Sequence, residues 1–163
     1  VAGGIFLVLA PFQFSAGIRA RHIRFHRWSG RVIVAAALLA GLSGLLLAAP
    51  FAFTGPAASS AVIVFGVLFL VAVIRAFVAI RHRDVTRHRE WMIRAFSIGI
   101  GIAVVRVVGS VLFVMTRAEP FEIIGLSFWI GWMLSLAAAE LWIRHTRPSW
   151  PGLEGAPIRV TEA

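Results

Sequence analysis

Five apolar runs, separated by short polar stretches, lay out this chain. The first, Val1 to Phe14, is shorter than the roughly 20 residues that a bilayer-crossing helix needs, and it reads as the tail of a truncated helix ending at Pro11 and Gln13. A secretory signal is the rival reading, but no basic segment precedes the run and no small-residue cleavage pattern follows it. Four fuller runs, Ser29 to Ala49, Ala61 to Ile80, Ile93 to Met115 and Phe121 to Ile143, each have the length of a spanning helix. Ala49-Pro50 with Thr54-Gly55-Pro56, and later Glu119-Pro120, mark short turns. The predicted fold class is all-α: a polytopic transmembrane helical bundle over residues 1–145, with four full spans plus the truncated N-terminal helix. Residues 146–163, rich in Pro, Gly and charge, read as a flexible cytoplasmic tail.

Composition agrees. At 60% hydrophobic and 14% charged residues, with a mean hydropathy of +0.89, an ordinary soluble domain is excluded. The formal charge of +9 does not point to nucleic acid, because the arginines gather between apolar runs. Arg19, Arg21, Arg24, Arg27 and Arg31 form one group and Arg81, Arg83, Arg87, Arg89 and Arg94 another, while Arg144 and Arg147 lead the tail. The opposite side offers Arg117 among Glu119 and Glu122. Basic loops stay in the cytoplasm, so the amino end is expected outside and the carboxyl end inside. Absent lysine and abundant Ala, Arg and Gly suit a GC-rich bacterial genome, hence a bacterial inner membrane.

Without cysteine there are no disulfides, thiolate nucleophiles or Cys-held metals, which leaves histidine and carboxylate chemistry. A phrase recurs where basic loop turns into apolar run: His26-Arg27-Trp28 leading to Arg31, and His88-Arg89-Glu90-Trp91 leading to Arg94. The repeat predicts two helical hairpins related by an axis along the membrane normal, with the last helix at the side and both histidines at one depth. Each histidine begins a helix, where the dipole disfavours imidazolium, so His26 and His88 are candidate metal ligands facing one another; an interfacial anchor is the rival reading. His22 shares a helical face with His26 but reads as a headgroup residue, as do His82 and His145.

The face below His26 carries Gly30, Ala37, Ala40, Gly41, Gly44 and Ala48, and the face below His88 carries Ala95, Gly99, Ala103 and Arg106. Such stripes serve helix packing or admit a flat cofactor. Arg106, about 18 Å from the cytoplasmic start of its helix, is expected near mid-membrane and in need of water, Ser43 or a bound anion. Arg75 is the expected mate of Glu140. Trp129, Trp132, Met133, Leu136 and Glu140 share one face that reads as core, while Trp28, Trp91 and Trp142 suit an interfacial aromatic belt. No motif of a soluble enzyme is present, so no catalytic residue is assigned.

The blocks Ala10-Pro11-Phe12-Gln13-Phe14, His26-Arg27-Trp28-Ser29-Gly30-Arg31 and His88-Arg89-Glu90-Trp91-Met92-Ile93-Arg94 resemble a family of bacterial membrane proteins called domain of unknown function 2306, over about Val1 to Ile143. Arg106 falls where that family tends to place an arginine after the second block. A looser similarity reaches haem-b four-helix membrane cytochromes of the cytochrome b561 type. That likeness implies His26 and His88 as axial ligands of one haem b, with Arg27, Arg31, Arg89 and Arg94 on its propionates and Arg106 near a quinone or second cofactor. Three readings stay open: haem-linked electron transfer with a quinone or other redox partner, a small-solute transporter or channel, and a non-catalytic membrane scaffold. Oligomeric state and substrate are not legible.

Overall fold

The computed structural model describes residues 2–13, 16–48, 55–116 and 120–146. Among these, every residue outside position 22 and the turn at 82–84 is helical. The elements are α1 (Ala2–Gln13), α2 (Ala16–Arg21), α3 (Ile23–Ala48), α4 (Gly55–Arg81), α5 (Val85–Thr116) and α6 (Pro120–Thr146). The last four contain the long apolar windows needed to cross a membrane, and α1 is the short apolar helix expected from its length. The proposed turn at Ala49-Pro50 and Thr54, the acidic side at Arg117 and Glu119, and the tail from Arg147 lie outside the described residues.

Helices run further than the apolar runs alone predict. The basic stretches before Ser29 and Ile93 are themselves helical, so α3 and α5 begin at Ile23 and Val85. Between α4 and α5 the chain reverses in three residues: Arg83 adopts a positive φ of 61°, and the Asp84 N–H reaches back to the Ala79 carbonyl at 2.9 Å. That is a helix-ending Schellman-type bond. Asp84 then starts α5 by accepting the Arg87 backbone N–H at 2.9 Å, as a capping carboxylate does. The 32 residues of α5 span about 48 Å at 1.5 Å per residue, well beyond a hydrocarbon core of about 30 Å.

The interior is built from small and aromatic side chains. Ala37, Ala61, Ala72, Ala76 and Ala95 are buried with Phe6, Phe65, Phe69 and Trp132, while Leu46, Leu47, Val114 and Met115 stand on the outside about three-quarters exposed. Large aliphatic residues outside and small ones inside is the order expected in lipid, where helices associate by close packing and not by escape from water. Gly131 shows how close: a Cβ there would lie 2.7 Å from the backbone of Val105, so α5 and α6 meet backbone to backbone.

α1 packs on α3, α3 on α4, α4 on α5, and α5 back on α1, closing a ring, while α6 lies outside it against α4 and α5. α3 and α5 stand on one diagonal of the ring, with no packing between them. On the other diagonal α1 meets α4, where Phe6 and Phe69 pack edge to face with centroids 5.4 Å apart.

Candidate functional site

His26 and His88 are each the fourth residue of their helix, and their backbone N–H groups are bonded to His22 and Asp84, both at 3.0 Å. The expectation that they share a position at helix starts holds. The expectation that their helices lie side by side does not, because α3 and α5 do not pack against each other. The wedge between them on the Arg-rich half is filled by α1. Its Gln13 side-chain amide donates to Ser29 Oγ at 2.8 Å, and that hydroxyl donates to the Phe25 carbonyl at 2.7 Å. Further in, Phe6 packs toward Phe96 and directly over Gly99.

The His88 ring turns to α4, not α3, with Nδ1 2.8 Å from the Ala76 carbonyl. A carbonyl oxygen only accepts, so Nδ1 is the donor in that bond. His26 is half-buried, with Nδ1 shielded inside the protein. A haem ligated by both rings has to occupy the wedge that α1 fills, so the arrangement does not fit that group. Among the described residues, no cluster of three or more His, Asp or Glu is placed to hold a metal ion.

Two of the four arginines assigned to propionates have other partners. Arg27 and Arg31 are exposed on α3. Arg89 donates to Thr146 Oγ1 at 2.7 Å, tying α5 to the end of α6. Arg94 grips Glu140 on α6 with two bonds, Nε to Oε1 at 2.5 Å and one terminal nitrogen to Oε2 at 3.0 Å, and stands 4.0 Å from Glu90 one turn earlier. Glu140 is thus the mate of Arg94 and not of Arg75. Helix spacing alone misses this, because the choice depends on which face of α6 meets α5. Arg75 instead lies over Trp91, 5.5 Å from the ring centroid, and Arg94 covers the same ring at 4.8 Å. Trp91 is therefore half-buried between two guanidinium groups, a cation–π arrangement, whereas Trp28 and Trp142 face outward as interfacial residues do.

One further expectation changes. Met133 is 60% exposed, so it leaves the core face on which Trp132 is buried. Trp132 donates to the Ile98 carbonyl at 3.0 Å, satisfying its only N–H. Arg106 is exposed and ten residues from the end of α5, about 15 Å by helical rise, because the helix runs on to Thr116. About 15 Å is half of a hydrocarbon core of about 30 Å, so the residue lies deep.

The small-residue stripes pack at some positions and leave open space at another. Gly41 receives Leu70 and Phe69 of α4, and Gly99 receives Phe6, which is packing. Gly44 has nothing within 4 Å of where a Cβ would stand. There the bundle opens into an apolar slot of about 320 Å³, walled by Gly44 and Leu45 of α3, Gly66 of α4, Gly99 and Ile102 of α5 and Trp132 of α6. Gly3 and Phe6 form its floor. The slot continues the wedge between α3 and α5 past the first turn of α1, so α1 fills one half of the wedge and the slot is the other.

The chain belongs to the family described as "Predicted membrane protein (DUF2306)", whose model matches residues 1–143. No curated protein and no solved structure matches the chain. The membership agrees with the blocks around His26 and His88, and the cytochrome b561 likeness gains no support from it.

Proposed function

We propose that this membrane protein holds the acyl chain of a bilayer lipid in the slot between α3 and α5. The single observation that carries the reading is the 320 Å³ apolar space lined by glycines and aromatic rings at hydrocarbon depth. It is at the lower end of the about 300–1,000 Å³ typical of small-molecule sites. Its surroundings supply the occupant: at that depth the solvent is acyl chain, and a void left empty forfeits the contacts of every wall atom. The positive-inside rule favours placing the Arg-rich end in the cytoplasm of a bacterial cell, so the slot belongs to the far leaflet.

Other uses fit less well. A water-filled channel needs a polar path, but the middle of the bundle is occupied by Phe6, Phe65, Phe69, Ile98 and Trp132. Haem-linked electron transfer through His26 and His88 conflicts with α1 lying between their helices. The expected absorption spectrum of the purified chain, oxidised or dithionite-reduced, has no Soret band. A band that vanishes in both His26→Ala and His88→Ala would reinstate the haem.

The lipid reading is tested by native mass spectrometry of the full chain released from vesicles. Wild type is expected to keep one lipid adduct. Gly44→Phe, whose ring enters open space, is expected to lose it at least tenfold while keeping its helical circular dichroism. Gly3→Leu, at the floor, serves as a second plug if the first fails to fold. Equal lipid retention in a folded plugged variant overturns the proposal.

A further inference from the structure

One charge of this chain faces hydrocarbon. Ala95 to Thr116 covers about 33 Å of α5 at 1.5 Å per residue, close to the thickness of a bilayer's apolar core, and Arg106 is the one charged residue of that stretch, near its middle. Its side chain is exposed. Its backbone carbonyl accepts the Ser110 hydroxyl at 2.9 Å, but among the described residues its guanidinium has no hydrogen-bond or ion-pair partner.

The described carboxylates stand at other levels. Asp84, Glu90 and Glu140 belong to the arginine-rich end, where Glu140 is held by Arg94, about 18 Å from Arg106 by helical rise. The α5–α6 register, Gly131 against Val105 and Gly109 against Ser127, sets Glu122 opposite residue 114, about 12 Å beyond Arg106. Ser43 is on α3, which does not pack against α5. Headgroup phosphates lie outside the apolar core and are further still. Inward of Arg106 the bundle is apolar, with Val105 and Trp132 buried. Ionisable groups at this depth pair with one another, reach backbone carbonyls or line water, so the counter-charge for Arg106 comes from the lipid side.

We propose that this face of α5 docks a spanning helix of a second membrane protein, one that carries an Asp or Glu near mid-bilayer to pair with Arg106. A second copy of this chain does not supply that group: inserted the same way round, it presents Arg106 to Arg106, like charge to like. The surroundings admit a helix. Ala103, one turn before Arg106, and Ser110, one turn after, are small and exposed, and small residues let helix backbones approach closely in lipid. The docking rests on Arg106 and is independent of the lipid slot.

The test uses the full chain in phosphatidylcholine vesicles with a synthetic spanning peptide of Leu and Ala that carries one central Asp, association being read by energy transfer between labels. Wild type is expected to bind this peptide about tenfold more tightly than the same peptide with a central Leu, the scale of one interhelical polar contact. Moving the Asp eight residues toward one end is expected to abolish the preference, as is Arg106→Leu. Arg106→Asp is expected to prefer a peptide with a central Arg instead; should that variant fail to fold, Arg106→Gln is expected to lose most of the preference for the central Asp. Equal binding of the central-Asp and central-Leu peptides by wild type overturns the docking. A preference that survives in Arg106→Leu, or that ignores the depth of the Asp, overturns the assignment to Arg106.

Discussion

Gly131→Ala is expected to destabilise the folded bundle by about 2–3 kcal/mol, the upper part of the range for overpacking a filled interior. A methyl group there meets the Val105 Cα and N at 2.7 Å, and backbone cannot swing aside as a side-chain end can. The α5–α6 contact has to open, which also loosens Trp132 from the Ile98 carbonyl and Arg94 from Glu140. Gly44→Ala is the control: the new methyl meets nothing within 4 Å, and alanine favours helix over glycine, so stability is expected to hold or rise by about 0.5–1 kcal/mol. Thermal or denaturant unfolding in one detergent reads both. Equal stabilities for the two variants would show that the close approach at Gly131 is not a tight contact.

Arg94→Leu is the second large effect, at about 1.5–3 kcal/mol, the range for losing hydrogen bonds to a charged group, because Arg94 and Glu140 are only part-buried. The cost arises because Glu140 and Glu90 lose the cation they share, within an apolar surround. Glu140→Leu also destabilises, since it strands Arg94 beside Glu90 alone. The double variant Arg94→Leu with Glu140→Leu is expected to cost less than the two singles together, by at least about 0.5 kcal/mol, because α5 and α6 then meet through leucines. Strict additivity would mean that the two side chains do not act as a pair. Tryptophan fluorescence supplies a separate readout, since Arg94 covers Trp91 at 4.8 Å and Arg75 keeps the other contact.

Much of the site could be read along the chain, and the failures share one cause. Helix starts at His26 and His88, their equal position within α3 and α5, and the small-residue faces beneath them follow from local spacing. Partner choice does not. Arg75 and Arg94 both stand near the level of Glu140, and only the rotation of α6 against α5 decides that Arg94 takes it. Trp91 looks like Trp28 and Trp142 in its basic surroundings, yet α4 brings Arg75 over it and turns it inward. The apolar run alone starts α5 at Ile93. The helix begins at Val85 and ends at Thr116.

The sequence by itself determined an all-helical membrane bundle of four long apolar helices with a short first one, because hydrophobic length is a property of each segment alone. Tertiary structure decided that the two histidine-bearing helices stand on a diagonal with α1 wedged between them. It also decided that half of that wedge stays open as an apolar slot. Which faces meet is settled by how small residues let backbones approach across the bundle. That is a sum over many contacts between distant segments, and no single stretch of the chain contains it.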